Sequence, residues 1–223
     1  MKIKDLRCEA LFAPGHSVAW DLLKKYEYPW EALPFISSFV QEFGATLDAS
    51  EYTKHDNNIW IHKTADVAPS AFLYADIIIC ANARIGHCAY VRGPAIIGKN
   101  SNVGNSTEVK NAILFNKVQI PHYNYVGDSI MGYKSHFGAG AITSNVKSDS
   151  SPVSVCFGDE RIDTSMKKFG AIVGDNVEVG CNAVLNPGTV IGANANVYPL
   201  SMVRGFVPAN SIYKKQGEIV EKR

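Results

Sequence analysis

Three histidines could carry chemistry: His87, His122 and His136. An imidazole titrates near pH 6.5, so it can pass a proton at working pH or, when neutral, ligate zinc. Zinc requires several such ligands at spacings that let them converge. These three come from separate stretches with no HxxxxH-type cluster, so no metal is expected. The plain reading of each is a surface residue at a turn of the chain. Arg92 and Lys110 lie 18 residues apart. Stacked on adjacent turns of a repeat, two such cations would make a phosphate clamp, although an isolated Lys or Arg is more often just solvated.

The element that must position them is a repeat. From Ile61 an aliphatic residue returns at every sixth position, through Val67, Leu73, Ile79, Ile85, Val91, Ile97, Val103 and Val109. The beat skips once before Leu114, Ile120 and Val126, and again before Met131, Phe137 and Thr143. It resumes at Val173, Val179, Leu185, Ile191, Val197 and Val203. A period of six is neither a helix nor a simple strand; it marks hexapeptide repeats that stack into a solenoid. Small residues such as Gly86, Gly98 and Gly104 follow the aliphatic ones and are expected to let the chain turn at corners. The fold class is an all-β solenoid, a left-handed parallel β-helix of hexapeptide repeats with a small N-terminal helical region.

Composition narrows the function. With a net charge of +1 and 19% charged residues, the chain has no footprint for nucleic acid or an anionic membrane. Its five cysteines are odd in number and lack metal spacing, which suits a reducing cytoplasm. No apolar run reaches the roughly 18 residues of a membrane span, and MKIKDLRCEA lacks a signal-peptide core.

Three regions are expected. Residues 1–58 form a helical N-terminal region, with Ser17 capping a short helix through Trp20 and Leu23 and a second helix after Pro34 ending at Gly44. Residues 59–205 form the β-helix, and 206–223 a cap or tail that covers its exposed strand edges. Within the β-helix, at about 144–170, the beat stops in a polar segment containing Val153, Val155, Cys156 and Phe157. Such a loop is usually functional. It is expected to be an ordered extrusion that packs on a neighbouring subunit.

Four motifs, VGNSTEVKN, PHYNYVGDS, FGAGAITSN and KKFGAIVGDNVEVG, carry a resemblance. Over the solenoid, roughly two thirds of the chain, the sequence resembles the acetyltransferase half of the bifunctional glucosamine-1-phosphate acetyltransferase/N-acetylglucosamine-1-phosphate uridyltransferases. It is also similar to the C-terminal half of archaeal sugar-1-phosphate nucleotidylyltransferases that acetylate amino-sugar phosphates. The family's nucleotidyltransferase domain has no counterpart, so a stand-alone module is expected.

The resemblance implies a transferase of the acyltransferase class that moves acetyl from acetyl-CoA to a hexosamine 1-phosphate, as in UDP-N-acetylglucosamine biosynthesis. Amine attack on a thioester needs a base, and His122 stands at the family's catalytic position. Asn145 matches the asparagine that orients the reactants. Arg92 and Lys110 match the phosphate-binding cations and Tyr125 the tyrosine that holds the sugar phosphate. The order Arg92-Gly93-Pro94 departs from the family's Arg-Pro-Gly. His136 replaces an asparagine before Gly-Ala-Gly, and Gly170 stands where the family has a lysine that Lys168 could replace, so the acceptor could also be another amino-sugar phosphate. Ala139, Cys181 and Arg204 fall on the coenzyme side. The family forms homotrimers with the active site between subunits. The alternative is a non-catalytic interaction or regulatory β-helix partnering a sugar-nucleotide enzyme.

Overall fold

In the computed structural model, which describes residues 3–222, a parallel β-solenoid follows a run of short helices. The strand register measures each coil. Ile77 pairs with Ala95, a step of 18 residues. Ala95 pairs with Ala112 and Ala112 with Ser129, two steps of 17. Ile130 pairs with Ile172, a step of 42 that contains the excursion. Ala171 to Thr189 restores 18, and Val190 to Phe206 shortens to 16. The two skipped beats are thus coils shortened by one residue, and they flank the segment that carries His122 and Tyr125.

From Ile79 to Val203 every residue of the six-residue series is buried. Ile61, Val67 and Leu73, in the first coil, are only half-buried because stacking covers them from one side. Each fully buried aliphatic side chain contributes about 1.5–3 kcal/mol relative to exposure, and that repeated term holds the stack.

The glycines work differently from the expectation. Gly98 and Gly104 are not in the left-handed region; a Cβ on Gly104 would lie 1.7 Å from the Pro121 carbonyl oxygen of the next coil. They permit close approach between coils. The positive φ falls two residues later at this type of corner, and one corner column runs Asn82, Asn100, Lys117, Lys134, Asn176, Asn194, Asn210. Asparagine tolerates that conformation best among residues with a Cβ.

The solenoid has three faces. On the first, the triads Ile77–Ile79, Ala95–Ile97 and Ala171–Val173 are apolar throughout. Their middle residues Ile78, Ile96 and Ile172, together with Ile113 and Ile130, alternate away from the core, yet they are fully buried. The N-terminal region covers them. Helix Ile36–Gly44 packs on the early strands, the 3-10 helix Pro29–Phe35 packs on Tyr125–Met131, and Trp30 meets Phe169 at 5.8 Å. Asp175 fastens this layer, accepting from the Ala13 and Tyr133 N–H groups at 2.7 Å each. Burial pushes its carboxyl above the usual range.

The expected N-terminal helices exist, with changes. Helix Trp20–Leu23 has Ala19 at its N-cap, and Ser17 Oγ accepts from the Ala19 N–H in the preceding turn rather than capping the helix itself. Pro34 sits inside the 3-10 helix, whose last residue leads directly into Ile36–Gly44. Strand pairing begins before residue 59, since Tyr52–His55 lies antiparallel to Ile59–His62.

The second face is a polar ladder: Asp66, Arg84, Asn102, Gln119, His136, Glu178 and Asn196 follow one another in register. The third runs Phe72, Tyr90, Glu108, Tyr125, Ile142, Val184, Met202. Two of its ends are open apolar surface, with Phe72 61% and Met202 50% exposed.

The excursion forms a hairpin, Ser154–Phe157 against Glu160–Asp163. Val153, Val155 and Phe157 are buried, and Phe157 meets Phe206 at 4.9 Å. The hairpin packs on this chain's own strands Thr189–Ile191 and Phe206–Val207. Its apolar side is therefore covered by this chain's own coils. The room comes from Gly188, where a Cβ would lie 2.6 Å from the Ser154 carbonyl oxygen. Nor does the solenoid stop at 205: Phe206–Val207 and Ser211–Lys215 continue the parallel pairing. Only Glu218–Glu221 folds back antiparallel and covers an edge. Among the described residues no helix is long and apolar enough to cross a membrane.

Candidate active site

His122 ends the strand Gln119–His122, at the corner between the polar ladder and the third face. Its backbone is fixed from both sides. The His122 N–H donates to Asn124 Oδ1 at 3.0 Å, and the Gly140 N–H donates to the His122 carbonyl at 3.0 Å. Asn124 is buried, and its Nδ2 donates to the carbonyls of Gly138 and Ala141 at 2.8 and 3.0 Å. A buried amide with all its bonds made holds the turn rigidly. The imidazole itself is exposed, with no hydrogen bond to another described side chain. The side chain thus stands on a fixed mount, open to a ligand.

Backbone bonds between coils run this corner through His87, Asn105, His122, Ala139 and Cys181 in order. Ala139 and Cys181, expected on the coenzyme side, thus stand directly above His122 in the stack. Both are small, and the strip they form is accessible. His87 is two coils below, with Nδ1 2.7 Å from Ser70 Oγ and Nε2 3.2 Å from Cys88 Sγ. His136 lies on the polar ladder with Nδ1 2.7 Å from Glu178 Oε2. The three histidines do not converge, and among the described residues no three His, Cys, Asp or Glu side chains are grouped to hold a metal.

Three residues beyond His122, Tyr125 opens a hydrogen-bonded network. Asn145 Nδ2 donates to Tyr125 Oη at 3.1 Å and also to Asp128 Oδ2. Lys110 Nζ reaches both Asp128 oxygens at 3.0 and 2.9 Å, and Asn111 Nδ2 donates to Oδ1 at 2.9 Å. The Asp128 side chain is 4% exposed and that of Lys110 19%. Burial, then the Asp128 and Glu108 carboxylates, push the Tyr125 phenol above its usual range. It stays protonated and, while accepting from Asn145, keeps its own O–H free to donate.

Asp128 was not singled out from the sequence, yet it joins Lys110, Asn111 and Asn145. The available signal was an acid following Gly127 in an otherwise uncharged strand, Tyr125–Met131. Arg92 stacks beside Lys110 in register, as the 18-residue spacing implies. It is exposed and lies 3.4 Å from Glu108 Oε1, so both cations already have carboxylate partners. The Gly93–Pro94 peptide after it is cis. Gly170 has no room for a side chain: a Cβ would lie 2.2 Å from the Gly127 carbonyl oxygen. Lys168, two residues earlier, is exposed on the surface. Arg204 lies four coils beyond Lys110, near the excursion rather than near His122's own coil.

Residues 73–160 match the GMPPB C-terminal domain family, less than half of the chain. The chain is 38% identical over 142 residues to the bifunctional protein GlmU of Methanococcus vannielii, covering 63% of this chain and 34% of that protein. It is 30% identical over 176 residues to a bifunctional sugar-1-phosphate nucleotidylyltransferase/acetyltransferase of Sulfurisphaera tokodaii, covering 79% and 43%. The solenoid resembles the hexapeptide-repeat acetyltransferase part of such bifunctional proteins. The chain spans about a third of the length of the GlmU relative. An uncharacterized acetyltransferase, YaiX of Escherichia coli, is matched over most of both chains, 84% and 87%, at 26% identity.

Proposed function

We propose that the protein is an acetyl-CoA-dependent N-acetyltransferase acting on a hexosamine 1-phosphate, with glucosamine 1-phosphate as the first acceptor to test. The observation that carries this reading is His122: an exposed imidazole on a rigid turn, between the Tyr125–Asn145–Asp128–Lys110 network and the Ala139–Cys181 strip. The relatives, among them a bifunctional sugar-1-phosphate nucleotidylyltransferase/acetyltransferase, support the same chemistry.

In this reading the acceptor amine attacks the thioester carbonyl while His122 takes its proton. The tetrahedral intermediate collapses with cleavage of the C–S bond, and the imidazolium returns the proton to the departing thiolate of coenzyme A. A backbone N–H near Asn145 donates to the oxyanion. Tyr125 and Asn145 orient the sugar, with Arg92, Lys110, His136 and Lys168 around the acceptor. Ala139, Cys181 and Arg204 lie along the coenzyme. A homotrimer in a reducing cytoplasm fits the open apolar third face around Phe72 and Met202 and the five free cysteines.

Release of coenzyme A thiol from acetyl-CoA and glucosamine 1-phosphate tests the activity. His122→Ala is expected to lower kcat by about 10²–10⁴-fold. Unchanged turnover in that variant overturns the assignment of the base. Folded protein inactive on every hexosamine 1-phosphate would favour the non-catalytic binding module instead.

A further inference from the structure

The corner that carries Arg92 and Lys110 continues through the stack. Extending the register of Val91, Val109, Val126, Thr143, Leu185 and Val203 by one residue gives the column Arg92, Lys110, Gly127, Ser144, Asn186, Arg204. Beside its C-terminal part, the hairpin of the excursion encloses a cavity of about 380 Å³, within the size range of small-molecule sites. Ser144, Asn186 and Arg204 line it from the coils, Lys147 from the start of the excursion, and Ser154 and Arg161 from the hairpin.

The charges there are out of balance. Asp149 is the one carboxylate lining the cavity, and it is taken up by Lys147 at 3.6 Å and by the N–H and hydroxyl of Ser151 at 3.0 and 2.8 Å. Neither Arg161 nor Arg204 has a carboxylate partner among the described residues. Every other element lining the cavity presents hydroxyls, an amide, Val146, Pro187, Gly205 or the Cys156 thiol. Two guanidinium groups, one on the coils and one on the hairpin, therefore share a concave space with hydroxyl and amide donors. Their planar forks match phosphate oxygens, and a bound anion would remove their mutual repulsion.

We propose that this cavity is a phosphate-binding site that takes a phosphate of a small phosphorylated ligand. It is separate from the Arg92–Lys110 pair, whose cations already lie beside Glu108 and Asp128. The phosphate could belong to the acceptor sugar or to the 3′-phosphate of coenzyme A, and the chemistry of the cavity is the same for both. The site is defined by binding, so it stands whether or not acyl transfer is observed.

Calorimetric titration of the whole protein with pyrophosphate tests the site. Arg161→Gln combined with Arg204→Gln is expected to weaken binding at least about tenfold, and Arg92→Gln less than about twofold. Both pocket side chains are exposed, so the double variant keeps its fold. Binding that is unaffected by the double variant, or that weakens equally in Arg92→Gln, overturns the proposal.

The thiol of Cys156 gives a second readout that needs no variant. It is free, exposed and lines the cavity, while Cys88 is exposed elsewhere on the stack and serves as the internal reference. Slower alkylation of Cys156 than of Cys88 with glucosamine 1-phosphate supports a sugar-phosphate source. Slowing by coenzyme A but not by its 3′-dephospho form supports the coenzyme. Alkylation unchanged by all three ligands and by pyrophosphate overturns the proposal.

Discussion

The two ends of one corner column hold cations in opposite states. At the N-terminal end, Lys110 is half-buried on a carboxylate that is itself almost wholly buried, and Arg92 is held by Glu108. At the C-terminal end, Arg161 and Arg204 face a cavity with no carboxylate of their own. All four are cations; what separates them is their partners and, for Lys110, its burial. A lysine that neutralises a buried aspartate acts mainly as part of the framework, since removing it strands a charge. An arginine left without a partner beside a concavity is available for a ligand.

The sharpest way to break this comparison is to remove one cation from each end and measure stability. Lys110→Met leaves Asp128 with only neutral donors, Asn111 and Asn145. Breaking a buried pair costs about 3–5 kcal/mol, and the partial exposure of Lys110 puts the expectation at the lower end. Arg204→Gln should change stability by no more than about 0.5 kcal/mol, the usual range for a surface substitution. Urea unfolding of both variants is the measurement. Equal losses would erase the distinction between framework and ligand site.

Asn145→Ala is the next largest change. It removes the donor to both Asp128 and Tyr125 while Lys110 remains in place. A hydrogen bond to a charged group is worth about 1.5–3 kcal/mol, so this loss should be smaller than that of Lys110→Met. A loss equal to or above that of Lys110→Met would mean that the amide, not the ammonium, is the main partner of Asp128.

Much of this framework was legible in the chain because the hexad period leaves little freedom. One residue in six must face inward, so the aliphatic series from Ile79 to Val203 could be placed residue by residue. The two missing beats translated directly into the two 17-residue steps. What the period could not carry was contact between stretches far apart in sequence. Asp128 reads as one acid in a strand until Lys110, Asn111 and Asn145 are seen to meet on it. Ile78, Ile96 and Ile172 lie between inward positions, and their own apolar character was the available sign that a second layer covers that face. The excursion carried a sign too, Val153, Val155 and Phe157, but not which surface would cover them. Gly170 looked like a lost lysine, although the approach of the Gly127 carbonyl leaves no space for any Cβ there.

A small effect is also expected at Arg92, and it sharpens the comparison from within the N-terminal end. Its guanidinium is 3.4 Å from Glu108, with the two side chains 53% and 34% exposed. An ion pair so open to water contributes roughly 0–1 kcal/mol and weakens as salt rises. Arg92→Gln should therefore shift the melting temperature slightly at low ionic strength and less still at high. The Lys110→Met deficit should persist at both, because salt screens a buried pair poorly. If the Arg92 effect were as large and as insensitive to salt as that of Lys110, Arg92 would belong to the framework as well. If it stays small, Arg92 is the one cation at this end that can turn from Glu108 toward a ligand without loss to the fold.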